Sequence, residues 1–505
     1  MNTLIQLMST GAPSALCLSA ANSAPLSYDK LRQLSQYVQT QLNGVGIGRN
    51  DRVALVLPNG AEMAAAFITV ASSCTSAPLN PAYRADEFEF YLSDLHAKAL
   101  VVEHGSSSPA IEVARKMGVA IIELHPTPEQ GAGSFTLAIQ GLPAQAAQHP
   151  GAVQPDDVAL VLHTSGTTSR PKIVPLTQRN VCASAQNIAR STRFTASDRG
   201  LNVMPLFHIH GLIAGILAPL SQGGEVHCTA GFNALKFFGQ LDEVKPNWYT
   251  AVPTMHQAIL SRAANNQEVI ARVPLRFIRS SSSSLPPQVL AELESTFKAP
   301  VIEAYGMTEA AHQMACNPLP PGQRKPGTVG LAAGPEIAIM DAEGRLLAAG
   351  STGEIVIRGE NVTPGYENND KANSEAFTHG WFRTGDQGVL DAEGYLSITG
   401  RLKEIINRGG EKISPREVDE VLMDHPAVAQ VVCFGIPHDK LGEEVGAAVV
   451  LREGMSATEK ELRDYTATRL ADFKVPRKIL LMDEIPKGST GKLQRIGMAQ
   501  KLGLA

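Results

Sequence analysis

The sequence predicts an α/β protein with a large N-terminal domain of layered α/β sheets, a small β-rich subdomain and a small α+β C-terminal domain. Three observations carry that reading. Short apolar runs alternate with helical runs through the first four hundred residues, which is the rhythm of layered, largely parallel sheets. Past about residue 320 the texture changes to short strands with Gly-rich turns. Beyond Gly400-Arg401 a segment of roughly a hundred residues has its own β-α-β pattern.

The elements follow in order. A first helix within Met1–Leu18 leads to a strand at 15–19. A strand at 52–57 is broken by Pro58-Asn59-Gly60 and followed by a helix at 61–72. Apolar strands at 99–103, 119–123, 158–162, 199–204, 225–228, 248–251, 277–279 and 301–303 continue the pattern. In such sheets binding residues gather in loops at strand C-terminal ends. Strands at 336–340, 354–358, 388–390 and 395–399 form the β-rich part, with hairpin turns at Asp341-Ala342-Glu343-Gly344 and Asp391-Ala392-Glu393-Gly394. The last segment has helices at 415–423 and 457–470 and strands at 429–435, 446–451 and 478–482. We therefore expect residues 1–400 as one domain (β-rich part about 320–400), a boundary at 401–404, and 405–505 as a second domain.

Composition bounds the class. At 505 residues, with 44% hydrophobic and 18% charged residues, the chain has core enough for more than one domain. A net charge of −5 without a long run of one sign disfavours nucleic acid or anionic membrane as the main partner. The six cysteines are scattered and form no Cys-x-x-Cys pair, as expected of reduced core thiols. The N-terminus lacks the Lys or Arg of a secretory signal, no segment is long and apolar enough to span a membrane, and Leu502–Ala505 is no peroxisomal address. A cytoplasmic enzyme is the expectation, with monomer or homodimer left open.

The densest chemistry lies at 163–172, His-Thr-Ser-Gly-Thr-Thr-Ser-Arg-Pro-Lys, after an apolar strand. Five hydroxyls, a close-approach glycine (Gly166) and two cations suit a polyphosphate, because hydroxyls and free N–H groups donate to phosphate oxygens. Read alone, the stretch is equally a polar surface loop. It is not the common P-loop, since Pro171 stands where a second glycine would precede the lysine. Four further segments matter. Tyr305-Gly306-Met307-Thr308-Glu309 offers a ring for a purine, a hydroxyl for a phosphate and a carboxylate for a Mg²⁺-held phosphate. Asp386 could accept from a ribose diol, Gly400-Arg401-Leu402-Lys403-Glu404 clusters charge, and Pro486–Lys492 is a hydroxyl-rich loop ending in lysine. Each alone is more ordinarily a turn, a surface ion pair or a solvated loop.

Together, in this order, the five segments resemble the adenylate-forming superfamily of acyl-CoA synthetases, firefly-type luciferases and nonribosomal-peptide adenylation domains, over about residues 10–498. The resemblance implies that fold, with a β-barrel-like subdomain and a mobile C-terminal domain beyond a hinge at 401–404, ATP and Mg²⁺ as cofactors, CoA as co-substrate and a small carboxylic acid as substrate. It places Thr164, Ser165, Gly166, Thr167, Thr168 and Lys172 in a phosphate-cradling loop. It places Ser282, Ser283 and Ser284 with Glu303, Ala304, Tyr305, Gly306 and Met307 around adenine and AMP. Thr308 resembles the α-phosphate contact, Glu309 the Mg²⁺ partner, and Asp386 with Arg401 the ribose pair. Lys403 sits at the hinge, Lys492 resembles the adenylating lysine, and Gly409–Pro415 the loop that replaces it after rotation. His208 stands with the catalytic set. The pattern is departed from at Ser169 and Ile173, where glycines are usual; a β-branched Ile173 would stiffen the loop or lower ATP affinity.

Within the superfamily the chain most resembles oxalate–CoA ligases of plants and fungi, through segments including 77–83, 87–94, 205–212, 248–256 and 407–415. Pocket chemistry points the same way. A short dicarboxylate keeps one anion after activation, which must not be buried without partners. His208, His210, Ser282 within the run Ser280–Ser284, and His312 are suitable partners. For His210 or His312 alone, a core histidine is as good an account. Malonate is the rival; related malonate enzymes often carry an arginine where this chain has Ala304, though Arg279 could substitute. Short or medium fatty acids and aryl acids are further candidate substrates. A catalytically silent nucleotide-binding protein is the reading from a different functional class.

Overall fold

The computed structural model describes residues 1–164, 171–486 and 493–505. Four sheets organise the chain. The larger of the two main sheets has nine strands, in the order Leu331–Ala332, His312–Cys316, Val301–Met307, Phe277–Ser281, Trp248–Ala251, Arg199–Asn202, Glu225–Cys228, Leu16–Ser19 and Leu26–Ser27. The second has seven: Phe135–Ile139, Ala120–Pro126, Ala99–Glu103, Arg52–Val56, Thr75–Pro78, Val158–His163 and Ile173–Thr177. Central strands pair parallel and the edges antiparallel. Buried on both faces, the central strands read as the near-continuous apolar runs seen in the sequence. The alanine-rich helix Ala61–Ala71 packs wholly inside, in the largest apolar cluster.

Boundaries moved where tertiary pairing took over. The strand after Pro300 does not stop at Glu303 but runs to Met307, because Tyr305–Met307 pair with His312–Ala315 of the next strand. Leu331–Ala332 still belongs to the nine-stranded sheet, so the antiparallel unit begins at Glu336, past the expected 320. That unit is an open five-stranded sheet of Glu336–Met340, Thr352–Arg358, Trp381–Leu390, Phe377–Thr378 and Leu396–Arg401. Its expected turns are present: Gly344 and Gly394 both take positive φ (85°), and the Asp391 carboxylate accepts from the Glu393 and Tyr395 N–H groups.

The C-terminal part is a separate sheet around Val428–His438 and Gly442–Leu451, with the helices Pro415–Met423 and Glu459–Ala467 and its own apolar cluster. It touches the rest of the chain just past the hinge. The Arg416 guanidinium donates to the Ile398 carbonyl (2.8 Å), and the Ser414 hydroxyl donates to the Thr399 carbonyl. All six cysteines are free and buried. Among the described residues no helix is long and apolar enough to cross a membrane.

Candidate active site

A cavity of about 580 Å³ opens between the nine-stranded sheet, the antiparallel unit and the start of the C-terminal part. Its lining includes Thr164, Lys172, His208, Ser282, Ser283, Ser284, Glu303, Ala304, Tyr305, Gly306, Met307, Thr308, Glu309, His312, Asp386, Arg401 and Lys403. Residues as far apart in the chain as Thr164 and Arg495 therefore share one wall. His210 lies one layer behind, fully buried. Ser165, Gly166, Thr167, Thr168 and Lys492 lie outside the described residues, as does Ser169.

Each charged group has a local reason for its position. Asp386 accepts from the Tyr305 hydroxyl (2.5 Å) and from Arg401 Nε (2.9 Å), joining the large sheet to the strand that ends at the hinge. The Asp386 carboxylate in turn raises the Arg401 pKa above its ordinary value. Glu309 sits on a single turn, Thr308–Ala310, between two strands. Burial raises its carboxyl pKa, and a hydrogen bond from the Tyr366 hydroxyl (2.8 Å) works in the opposite direction. The Lys172 ammonium lies 4.3 Å from the centre of the same Tyr366 ring, a cation–π contact that leaves its charge at the cavity. Thr164 and Lys172 are held together by a bond from the Thr164 N–H to the Lys172 carbonyl (3.0 Å). Glu303 is 2% exposed and accepts from the Leu285 N–H (3.0 Å); burial pushes its pKa up to about 7.

The deep end is built from strained backbone. Ser282 and His312 have φ of 74° and 99°, values that side-chain-bearing residues adopt only when their surroundings force them. Gly306 permits the His312 turn: a Cβ there would lie 1.8 Å from the His312 carbonyl oxygen. His210 opens a π-helical segment, His210–Leu217, a widened turn that often marks functional sites. The His210 and His312 rings stack at 4.9 Å and 17°. His210 Nδ1 is 3.0 Å from the Ser282 hydroxyl and its Nε2 2.7 Å from that of Thr250.

Several contributors were not legible in the sequence. Tyr366 follows Pro364-Gly365 in an unremarkable loop, and nothing in its spacing ties it to Glu309. Arg416 and Arg495 also line the cavity. Arg495 reaches Glu404 (3.2 Å) and Asp419 (2.5 Å), and its position brings Leu493, next to Lys492, to the cavity wall. Ile173, suspected of disturbing the phosphate loop, is a buried strand residue in an apolar cluster with Val56, Leu79 and Val161, a site where β-branching fits.

Comparison with known proteins agrees with this geometry. Residues 9–367 match the AMP-binding enzyme family, and residues 417–492 match the AMP-binding enzyme C-terminal domain. The chain is 44% identical to an oxalate–CoA ligase of Arabidopsis thaliana over 99% of this chain and 98% of that protein. It is also 44% identical to an oxalate–CoA ligase of Saccharomyces cerevisiae, over 90% and 87%. Among solved structures, ATP-bound MatB from Rhodopseudomonas palustris superposes with a TM-score of 0.88 at 27% identity, covering 100% of this chain and 98% of that one. Its apo form superposes at 0.78, with 98% and 97% covered. With both domain families matched in order along one chain, this protein belongs to the AMP-binding enzymes, as an acyl-CoA synthetase of the adenylate-forming superfamily.

Proposed function

We propose that this acid–CoA ligase activates oxalate, forming oxalyl-adenylate from ATP and then oxalyl-CoA, with release of pyrophosphate and AMP. The observation that carries the reading is the deep end of the cavity, where His208, Ser282 and His312 line the wall and His210 backs it. This is a polar cage at the place where a fatty or aryl chain would need apolar walls. The two oxalate–CoA ligases at 44% identity support the same assignment.

The roles follow from electrostatics. A carboxylate attacking the α-phosphate brings two anions together, so the site must offset their repulsion. Tyr305, backed by Ser282–Ser284, Glu303 and Ala304, would hold the adenine, while Asp386 and Arg401 would take the ribose. Thr164, Ser165, Gly166, Thr167, Thr168 and Lys172 would hold the phosphates, with Thr308 at the α-phosphate. Glu309 is a hard oxygen donor deep in the cavity, and the Tyr366 hydrogen bond favours its ionised form; both fit a Mg²⁺ ion. When bound there, Mg²⁺ would neutralise phosphate charge. Lys492 would bridge the acid and the α-phosphate during adenylation. Lys403 would then be the hinge about which residues 405–505 rotate to bring Gly409–Pro415 in for the thiol step.

Pyrophosphate release over a panel of oxalate, malonate, octanoate and cinnamate, with and without CoA, tests the proposal. Oxalate should give the highest kcat/KM and a CoA-dependent product. Turnover of octanoate or cinnamate but not oxalate overturns the substrate; no release with any acid would leave a silent nucleotide-binding protein.

A further inference from the structure

Arg279, on the strand Phe277–Ser281, is 1% exposed, and among the described residues it forms no ion pair with any carboxylate. Its guanidinium lies instead against neutral partners: His210 Nε2 (3.3 Å), His312 Nε2 (3.1 Å) and the Gln313 side-chain carbonyl (3.0 Å). Its Nε has no partner among the described residues. A buried cation without a counter-charge is costly, and such groups are ordinarily paired or lost. This one stands directly behind the two histidines and the serine of the cavity's deep end.

A guanidinium can only donate hydrogen bonds. An imidazole that accepts from it at Nε2 carries its proton on Nδ1. For His210 in that tautomer, Nδ1–H donates to the Ser282 oxygen, and the Thr250 hydroxyl shares the single Nε2 lone pair with Arg279 in a three-centre bond. The Ser282 hydroxyl proton is then directed to another acceptor, at a residue that lines the cavity. Ser282 and His312 keep strained φ values in this arrangement, which only the surrounding contacts can impose.

We propose that Arg279 is the positioning residue that makes this site specific for an acid with a second carboxylate: it fixes His210 and His312 as neutral Nδ1–H tautomers, turns the Ser282 hydroxyl into a donor toward the cavity, and supplies the buried positive charge that the free carboxylate balances. This inference rests on the oxalate reading above and extends it from the cavity wall to the layer behind.

The test compares oxalate with oxamate, an isostere whose far end is an uncharged amide, in the full-length wild type and in R279Q and R279K. The readouts are the KM for oxalate, the inhibition constant for oxamate and the KM for ATP. In R279Q the oxalate KM should rise about tenfold or more relative to the oxamate constant, the effect of one lost charge-assisted interaction, while the ATP KM holds. R279K keeps the charge and loses the fork, and should shift the same ratio by a smaller factor; it carries the test if R279Q fails to bind ATP. An oxalate-to-oxamate ratio unchanged in both variants overturns the role of Arg279. If the wild type turns over another acid but not oxalate, the substrate assignment fails instead, and this inference with it.

Discussion

At the scale of single residues, the site keeps carboxylates where water would not. Glu303 is the clearest case, with burial raising its pKa from 4.5 to about 7. A carboxyl whose pKa is higher folded than unfolded binds more protons in the native state between those two values. Stability should therefore fall as pH rises from about 4.5 to about 7, by an amount of order 3 kcal/mol at full ionisation. Glu303→Gln keeps a carbonyl oxygen for the Leu285 N–H and removes the titration. Urea unfolding at pH 5 and pH 7.5 should show a smaller loss of stability for the variant than for the wild type. Equal losses would mean that Glu303 is not the group responsible. Ile173 shows the reverse lesson. Its β-branched side chain serves the core behind the phosphate loop, and the departure from glycine at this position reads as packing once its neighbours are visible.

At the scale of elements, the segment beyond Lys492 is tied down by one guanidinium. Arg495 bridges Glu404 at the end of the hinge, Asp419 on the helix Pro415–Met423, and the Cys433 carbonyl (3.0 Å) on the strand Val428–His438. Arg495→Ala leaves two carboxylates without that partner, and truncating one side of such a partly buried network costs roughly 2–5 kcal/mol. Thermal melting should show an earlier transition, and adenylate formation should slow because Leu493 loses its place at the cavity wall. A melting curve and an adenylation rate both matching wild type would show the network to be dispensable.

At the scale of the whole molecule, the C-terminal part sits against the large one through Arg416–Ile398, Ser414–Thr399 and a bond from the Gln257 amide to the Ala429 carbonyl (3.3 Å), and it adds Arg416, Leu493 and Arg495 to the cavity wall. The whole chain superposes on ATP-bound MatB with a TM-score of 0.88 and on its apo form with 0.78. The proposed rotation makes the half-reactions separable. Lys492→Ala should lower adenylate formation by about 10²–10³, the usual effect of losing one preorganised donor. It should spare thioester formation from supplied acyl-adenylate and CoA. Equal loss of both steps would show that Lys492 is not confined to the first.

Read alone, the sequence determined the family and the layered α/β class, and it pointed to most of the residues proposed here for the nucleotide side, since those reside in contiguous segments such as 163–172 and 305–309 whose chemistry is local. Strand existence was legible because apolar runs and turn residues are also local signals. Strand ends were not: Tyr305–Met307 are strand only because His312–Ala315 lies beside them. The acid pocket belonged still more to tertiary structure. His210, Arg279, Ser282 and His312 come from different elements, and a buried guanidinium's effect on two imidazoles depends on contacts of 3.1 and 3.3 Å that no spacing in the chain encodes. Tyr366 and Arg495 joined the site for the same reason, because burial and hydrogen bonding are properties of neighbours in space.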